Sequence, residues 1–220
     1  TLRRFEAPHH EWFLGGKLNA TANCIDRHVH SDRRNKAALI WVGEDGEEVT
    51  YTYNRLYREV NRFANALRRL GVIKGDRVII YMPLVPEGIV TMLACARIGA
   101  IHSVVFAGMG TQALRSRIVD SGAKVIVATD YTFRRGKKIS LKPTVDEAVR
   151  DLTFVEHVVV HRRGSRPGDR RPTPVAIQRR TPTTSLRKTI DSAVTNSGAT
   201  KPVAEASAIG RNSGSLITFK

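Results

Sequence analysis

The sequence predicts an α/β protein: a parallel sheet with helices on both faces, followed by a disordered tail. Three observations carry this. Between residues 77 and 161, short apolar runs alternate with helical patterns, the signature of strand–helix–strand crossovers. The helical patterns are punctuated by Gly71 and Gly99 at their ends and by Pro86 at a start. The composition then shifts near Arg162. Residues 162–220 hold 12 basic and 3 acidic residues with a single aromatic, Phe219, and Ser, Thr, Pro and Arg dominate there. Such a segment buries too little apolar surface to offset its ordering entropy.

Taken in order, Ala38–Val42 is a short strand candidate, and Gly43-Glu44-Asp45-Gly46 supplies turn chemistry before an extended piece at Glu48–Thr52. A helix is expected from Tyr53 to Leu70, with Leu56, Val60, Phe63, Leu67 and Leu70 on one face. Thr52 is placed to cap it and Gly71 to stop it. Arg77–Met82 reads as a buried strand after the turn Lys74-Gly75-Asp76. The remaining alternation predicts a helix at Glu87–Ile98, a strand at Ala100–Phe106, a helix at Thr111–Asp120 and a strand at Lys124–Ala128. A helix at Pro143–Leu152 and a strand at Val155–His161 complete it. Domain organisation follows: an amino-terminal arm at 1–36, an α/β domain at 37–164 and a basic tail at 165–220.

Charge and cysteine usage exclude some classes of function. The 220 residues carry 36 Lys and Arg against 20 Asp and Glu, a net +16 that favours polyanionic partners. Two cysteines, Cys24 and Cys95, make no disulfide framework, so a reducing cytoplasm is expected. Ile89–Ala96, the most apolar stretch, is too short to span a bilayer, and Thr1–Phe5 lacks the apolar core of a secretion signal. No membrane partner is expected.

Two local motifs compete for chemistry. Gly108-Met109-Gly110-Thr111-Gln112-Ala113 fits the glycine pattern of a dinucleotide turn, with Asp130 placed like a ribose carboxylate; the plain alternative is a tight strand-to-helix turn. Arg134-Arg135-Gly136-Lys137-Lys138 follows a strand, at the sheet edge where ligands of open α/β sheets collect. Four cations around a glycine suit a phosphate-bearing ligand, against the alternative of a solvated basic loop. Cys24, His28 and His30, with His9 and His10, match no zinc spacing, so no metal site is expected. Thr195–Pro202 is too poor a copy of a phosphate loop to count as one.

A longer pattern outweighs these. Trp12-Phe13-x-Gly15-Gly16-x-Leu18-Asn19 and Asn23-Cys24-x-Asp26-Arg27-His28 resemble the opening of acetyl-CoA synthetases, AMP-forming ligases of the adenylate-forming superfamily. The resemblance continues through Leu56–Leu67, Leu70–Val78, Tyr81-Met82-Pro83, Met92–Ala100 and Val155–Val160, up to about Arg163-Gly164. It demotes the dinucleotide reading to a distant third. It also implies that Phe106-Ala107-Gly108-Met109-Gly110 stands where the family has Phe-Gly-Gly-Phe-Ser, so Gly110 replaces a capping serine. By resemblance, Arg134, Arg135, Gly136 and Lys137 contact the nucleotide end of coenzyme A, and Trp12 anchors the amino-terminal arm.

The resemblance implies a ligase that joins acetate, or another short carboxylic acid, to coenzyme A with ATP and magnesium. The family's ATP phosphate loop, its magnesium site and its catalytic lysine match nothing in this chain, so no catalytic residue is assigned and the chain alone is expected to be inactive. Two origins stay open for residues 165–220: translation in a shifted frame, or a basic appendage with its own partner. The second gives the competing function, a non-catalytic protein that binds nucleic acid or other polyanions through its tail.

Overall fold

The computed structural model describes residues 2–6, 8–44, 46–163, 175–179 and 216–217; at 2–6, 10–12, 175–179 and 216–217 it describes the backbone alone. The chain divides into two units, Thr1–Gly75 with Ile89–Ile101, and Asp76–Gly88 with His102–Lys220.

In the first unit, β1 (Leu2–Glu6) and β2 (His9–Trp12) form an antiparallel hairpin. The side chain of Trp12, expected to anchor the arm, lies outside the described residues. A π-helical turn at Ala22–Asp26 leads into α1 (Arg27–Val29), then a 3-10 turn at Asp32–Asn35, capped by Ser31. The hairpin β3 (Ala37–Val42) and β4 (Glu48–Thr52) follows. α2 (Tyr53–Arg69) packs on this hairpin and on the turns before it. Thr52 caps α2 as expected, its hydroxyl accepting from the Arg55 amide at 3.2 Å. Leu56, Val60, Ala64 and Leu67 are buried, while Phe63 and Leu70 stay half-exposed. The next helix, α3 (Pro86–Ile98), begins with proline in its first turn. Asn19 donates to the carbonyls of Ala96 and Arg97, both at 3.1 Å, a side-chain cap at the α3 end beside the Gly99 amide, which also donates to Ala96. Arg97 also forks onto Asp26, at 2.5 and 3.3 Å.

The second unit holds the sheet. β5 (Arg77–Met82), β6 (Ile101–Phe106), β7 (Val125–Thr129) and β10 (His157–His161) lie in the order β10-β7-β5-β6, with β5, β7 and β10 parallel. Two further strands, β8 (Tyr131–Arg134) and β9 (Lys137–Ser140), form a hairpin of their own. One sheet face is covered by α4 (Thr111–Ser121) and α5 (Lys142–Ala148), around Ile79, Tyr81, Leu114, Ile118, Ile126 and Val158. Val78, Ile80, Val125 and Val127 on the opposite face are buried too. Runs buried on both sides are what a parallel sheet requires, and they explain why these strands carry no polar alternation.

Two boundaries move by more than one residue. α5 ends at Ala148 rather than Leu152, because the chain tightens there. Arg150 donates to Glu147 and Leu152 to Val149, which turns Leu152 and Val155 into the core. β10 therefore starts at His157, not Val155. α4 forms although Gly110 offers no side-chain cap; losing a serine there costs only about a few tenths of a kcal/mol. In the segment expected to be a disordered tail, β11 (Val175–Arg179) pairs antiparallel with β10, and β12 (Leu216–Ile217) with β11. The rest of 165–220 lies outside the described residues.

Candidate functional site

The strand order fixes where a ligand would sit. From β5 the chain steps to β6 on one side, then returns to β7 on the other. In open α/β sheets, ligands bind beyond the strand carboxyl ends at such a reversal. The segment leaving β7 at that edge is Asp130 and the β8–β9 hairpin.

Asp130 forms the hairpin's base. One carboxylate oxygen accepts from the Tyr131 amide at 2.9 Å and from the Arg163 amide at 3.1 Å. Its backbone amide donates to the His161 carbonyl at 3.1 Å, and its carbonyl accepts from the Leu141 amide at 2.8 Å. The residue placed by sequence as a ribose carboxylate thus joins both ends of the hairpin to β10.

The tip gathers the expected cations. Arg134 faces Lys137 across the ladder, and Arg135 and Gly136 form the turn between them. Both have positive φ, +53° and +73°. Two successive left-handed residues match the primed turns whose twist suits a hairpin. Glycine adopts this freely, whereas an arginine there carries strain of order 1 kcal/mol. Arg134, Arg135, Gly136 and Lys137 are all exposed. Three guanidinium and ammonium groups therefore project from a two-residue turn into water, free to converge on an anion. Lys138 does not join them: its Nζ lies 3.8 Å over the Tyr131 ring.

The hairpin itself was not foreseen, nor was an aromatic ledge. Tyr131 and Phe133 meet edge to face at 5.5 Å, and the Arg163 guanidinium lies 5.4 and 5.6 Å from their centroids. The signal was present: Tyr131, Phe133 and Ile139 alternate with polar residues around an Arg-Gly pair.

Two more groups lie at this edge. The Thr129 hydroxyl is buried and has no hydrogen-bond partner among the described residues. His161, its neighbour across the ladder, is buried, with Nε2 3.7 Å from a Glu87 carboxylate oxygen. Burial pushes the imidazole below its ordinary value; Glu87 and Asp130 oppose that shift and Arg163 adds to it.

The glycine motif serves packing. Tyr81 donates its hydroxyl to the Met109 carbonyl at 2.7 Å, and a Cβ on Gly108 would come within 2.6 Å of the Phe106 ring. Among the described residues, no three His, Cys, Asp or Glu side chains gather as metal ligands. Cys24 is exposed and Cys95 buried. No helix among them is long and apolar enough to cross a membrane.

The comparisons with known proteins agree with this architecture. The family described as AMP-binding enzyme matches residues 25–196, so the chain belongs to that family; the match runs past Gly164, where the sequence resemblance was read to end. Within it, the chain is 55% identical over 170 residues to an acetyl-coenzyme A synthetase of Gemmatimonas aurantiaca, covering 77% of this chain and 26% of that protein. It is 58% identical over 156 residues to a 3-hydroxypropionyl-coenzyme A synthetase of Sulfurisphaera tokodaii, covering 70% and 24%. An acetyl-coenzyme A synthetase of Campylobacter jejuni is 53% identical over 167 residues, covering 76% and 25%. The chain spans about a quarter of the length of these relatives.

Proposed function

We propose that this chain is an amino-terminal portion of an AMP-forming acid–CoA ligase, and that its β8–β9 turn holds the phosphate-bearing nucleotide end of coenzyme A. The observation that carries the reading is the turn itself: Arg134, Arg135 and Lys137 are exposed around a left-handed Arg-Gly pair at the sheet's reversal point. In the whole protein the acid's carboxylate would attack the α-phosphate of ATP, expelling pyrophosphate and forming an acyl-adenylate, and the CoA thiol would then attack the acyl carbon, expelling AMP. Relatives named as synthetases of acetyl- and 3-hydroxypropionyl-coenzyme A support a short carboxylic acid as the substrate; on this reading its pocket, the ATP site and the magnesium ligands belong to parts of the family outside these residues. A division into an arm at 1–36, a partial ligase domain at 37–164 and a basic tail at 165–220 fits this reading, as does a cytoplasmic location. A second reading, binding of polyanions by the tail, is favoured by its 10 basic against 3 acidic residues.

Calorimetric titration of the full chain with CoA and with 3′-dephospho-CoA tests the first reading. CoA should bind at least about tenfold more tightly than dephospho-CoA. The double variant R134Q/K137Q should remove that difference, because each exposed charged contact contributes about 1 kcal/mol. Equal affinity for both ligands, unchanged in the variant, would remove the turn from the reading.

A further inference from the structure

We propose that the polar face of α2 is a second phosphate-binding surface, suited to the backbone of a single-stranded nucleic acid and built from residues that the ligase reading does not use. The helix buries Leu56, Val60, Ala64 and Leu67 on one side. On the other, Arg55, Arg58 and Arg62 recur at spacings of three and four, so they rise about 4.5 and 6 Å along one stripe. These three line a groove of about 750 Å³ together with Asn54, Tyr57 and Asn61.

The groove's chemistry selects its occupant. Its lining side chains are three arginines, two asparagines, a threonine, a tyrosine and one acid, a cationic set that a phosphate backbone complements. Its one acid, Glu59, is taken by Arg62 at 2.9 Å, which leaves two uncompensated guanidinium groups. Arg55 is already held for binding, with its guanidinium 4.0 Å over the Tyr51 ring and donating to the Thr50 carbonyl at 3.0 Å. That ordering lowers the entropy lost on capture of an anion. Arg58 is exposed between them. The asparagine amides add donors for phosphate and sugar oxygens, and half-buried Tyr57, with the Arg97 guanidinium 5.4 Å from its ring centroid, adds an aromatic ring against which an unpaired base can stack. A duplex keeps its bases stacked on each other, so the ring favours a single strand.

The test uses the full chain and a fluorescent twelve-residue oligothymidylate, followed by anisotropy from 50 to 200 mM salt. R55E/R58E should weaken binding at 100 mM by about tenfold and flatten the log–log salt slope by about 1.4, the value for two lost single-strand phosphate contacts. R170E/R171E makes the same change in net charge within the tail and should weaken binding less than about threefold. If the double variant at α2 melts early, the single pair R58E and R170E gives the same comparison, since Arg58 is exposed. Equal losses at both places would overturn the proposal in favour of diffuse charge. Displacement of the oligonucleotide by polyglutamate as readily as by unlabelled oligothymidylate would overturn it in favour of an acidic protein. Neither outcome touches the CoA titration, which reports on β8–β9.

Discussion

Asp130→Ala removes one side chain and leaves every cation of the turn in place, so it separates scaffold from charge. Its carboxylate accepts two backbone amides, from Tyr131 and Arg163. A hydrogen bond to a charged acceptor contributes about 1.5–3 kcal/mol. The residue is half-buried, and water can reach the freed amides, so the pair together should be worth about 2 kcal/mol rather than the sum. That predicts a fall in melting temperature of about 4–8 °C for a domain of this size. It also predicts roughly thirtyfold faster hydrogen exchange at the Tyr131 and Arg163 amides if exchange proceeds by local opening. Asp130→Asn keeps an acceptor without its charge and should recover about half of the loss. CoA affinity should drop in the alanine variant with Arg134, Arg135 and Lys137 untouched, because a loosened base lets the turn lose its fixed geometry. Exchange mapped residue by residue is the decisive assay. If both amides remain as protected as in the parent while melting is unchanged, Asp130 does not hold the hairpin and the reasoning fails.

Tyr81→Phe strands the Met109 carbonyl that its hydroxyl serves, so chemical denaturation should show a loss of about 1 kcal/mol with an unchanged m-value. The Cys95 thiol is buried and pushed up to about 12, and the thiolate is the reactive form. A thiol reagent at pH 8 should therefore modify Cys24 in the native protein and Cys95 only in denaturant; two fast equivalents in the native state would contradict the burial. His161 titrates lower in the folded chain than its unfolded value of 6.5, so below that pH the unfolded state binds the additional proton. Its contribution is full above pH 6.5 and lost as pH falls toward the folded value. Melting followed from pH 7 to 5 should thus show a decline that His161→Leu blunts, and identical profiles would assign the decline to other groups.

Much of the sheet unit was legible because its signals are local. Arg77–Met82 is apolar on both faces, Pro86 opens a helix and Gly99, with φ of +75°, closes it. Each is a choice made within a few residues, where propensity and burial agree. Thr52 likewise declares the start of α2 before any partner is known. The amino-terminal arm gave little, since two short extended pieces and a π-helical turn have no period long enough to recognise.

The order of residues along the chain by itself determined the excess positive charge, the α/β class and the cluster of cations from Arg134 to Lys137. What only the tertiary structure decided is how those cations are presented. The sequence shows four cations around a glycine after a strand; the fold makes them the tip of a hairpin, turns Lys138 back over Tyr131, and ties the base through Asp130 to residues 31 and 33 positions further on, His161 and Arg163. The same holds for the strand order that places this hairpin at a reversal of the sheet. The physical reason is range. Turn chemistry and capping are settled by neighbours along the chain, whereas strand order and the pairing of a carboxylate with a distant amide are settled only when burial brings separate segments together.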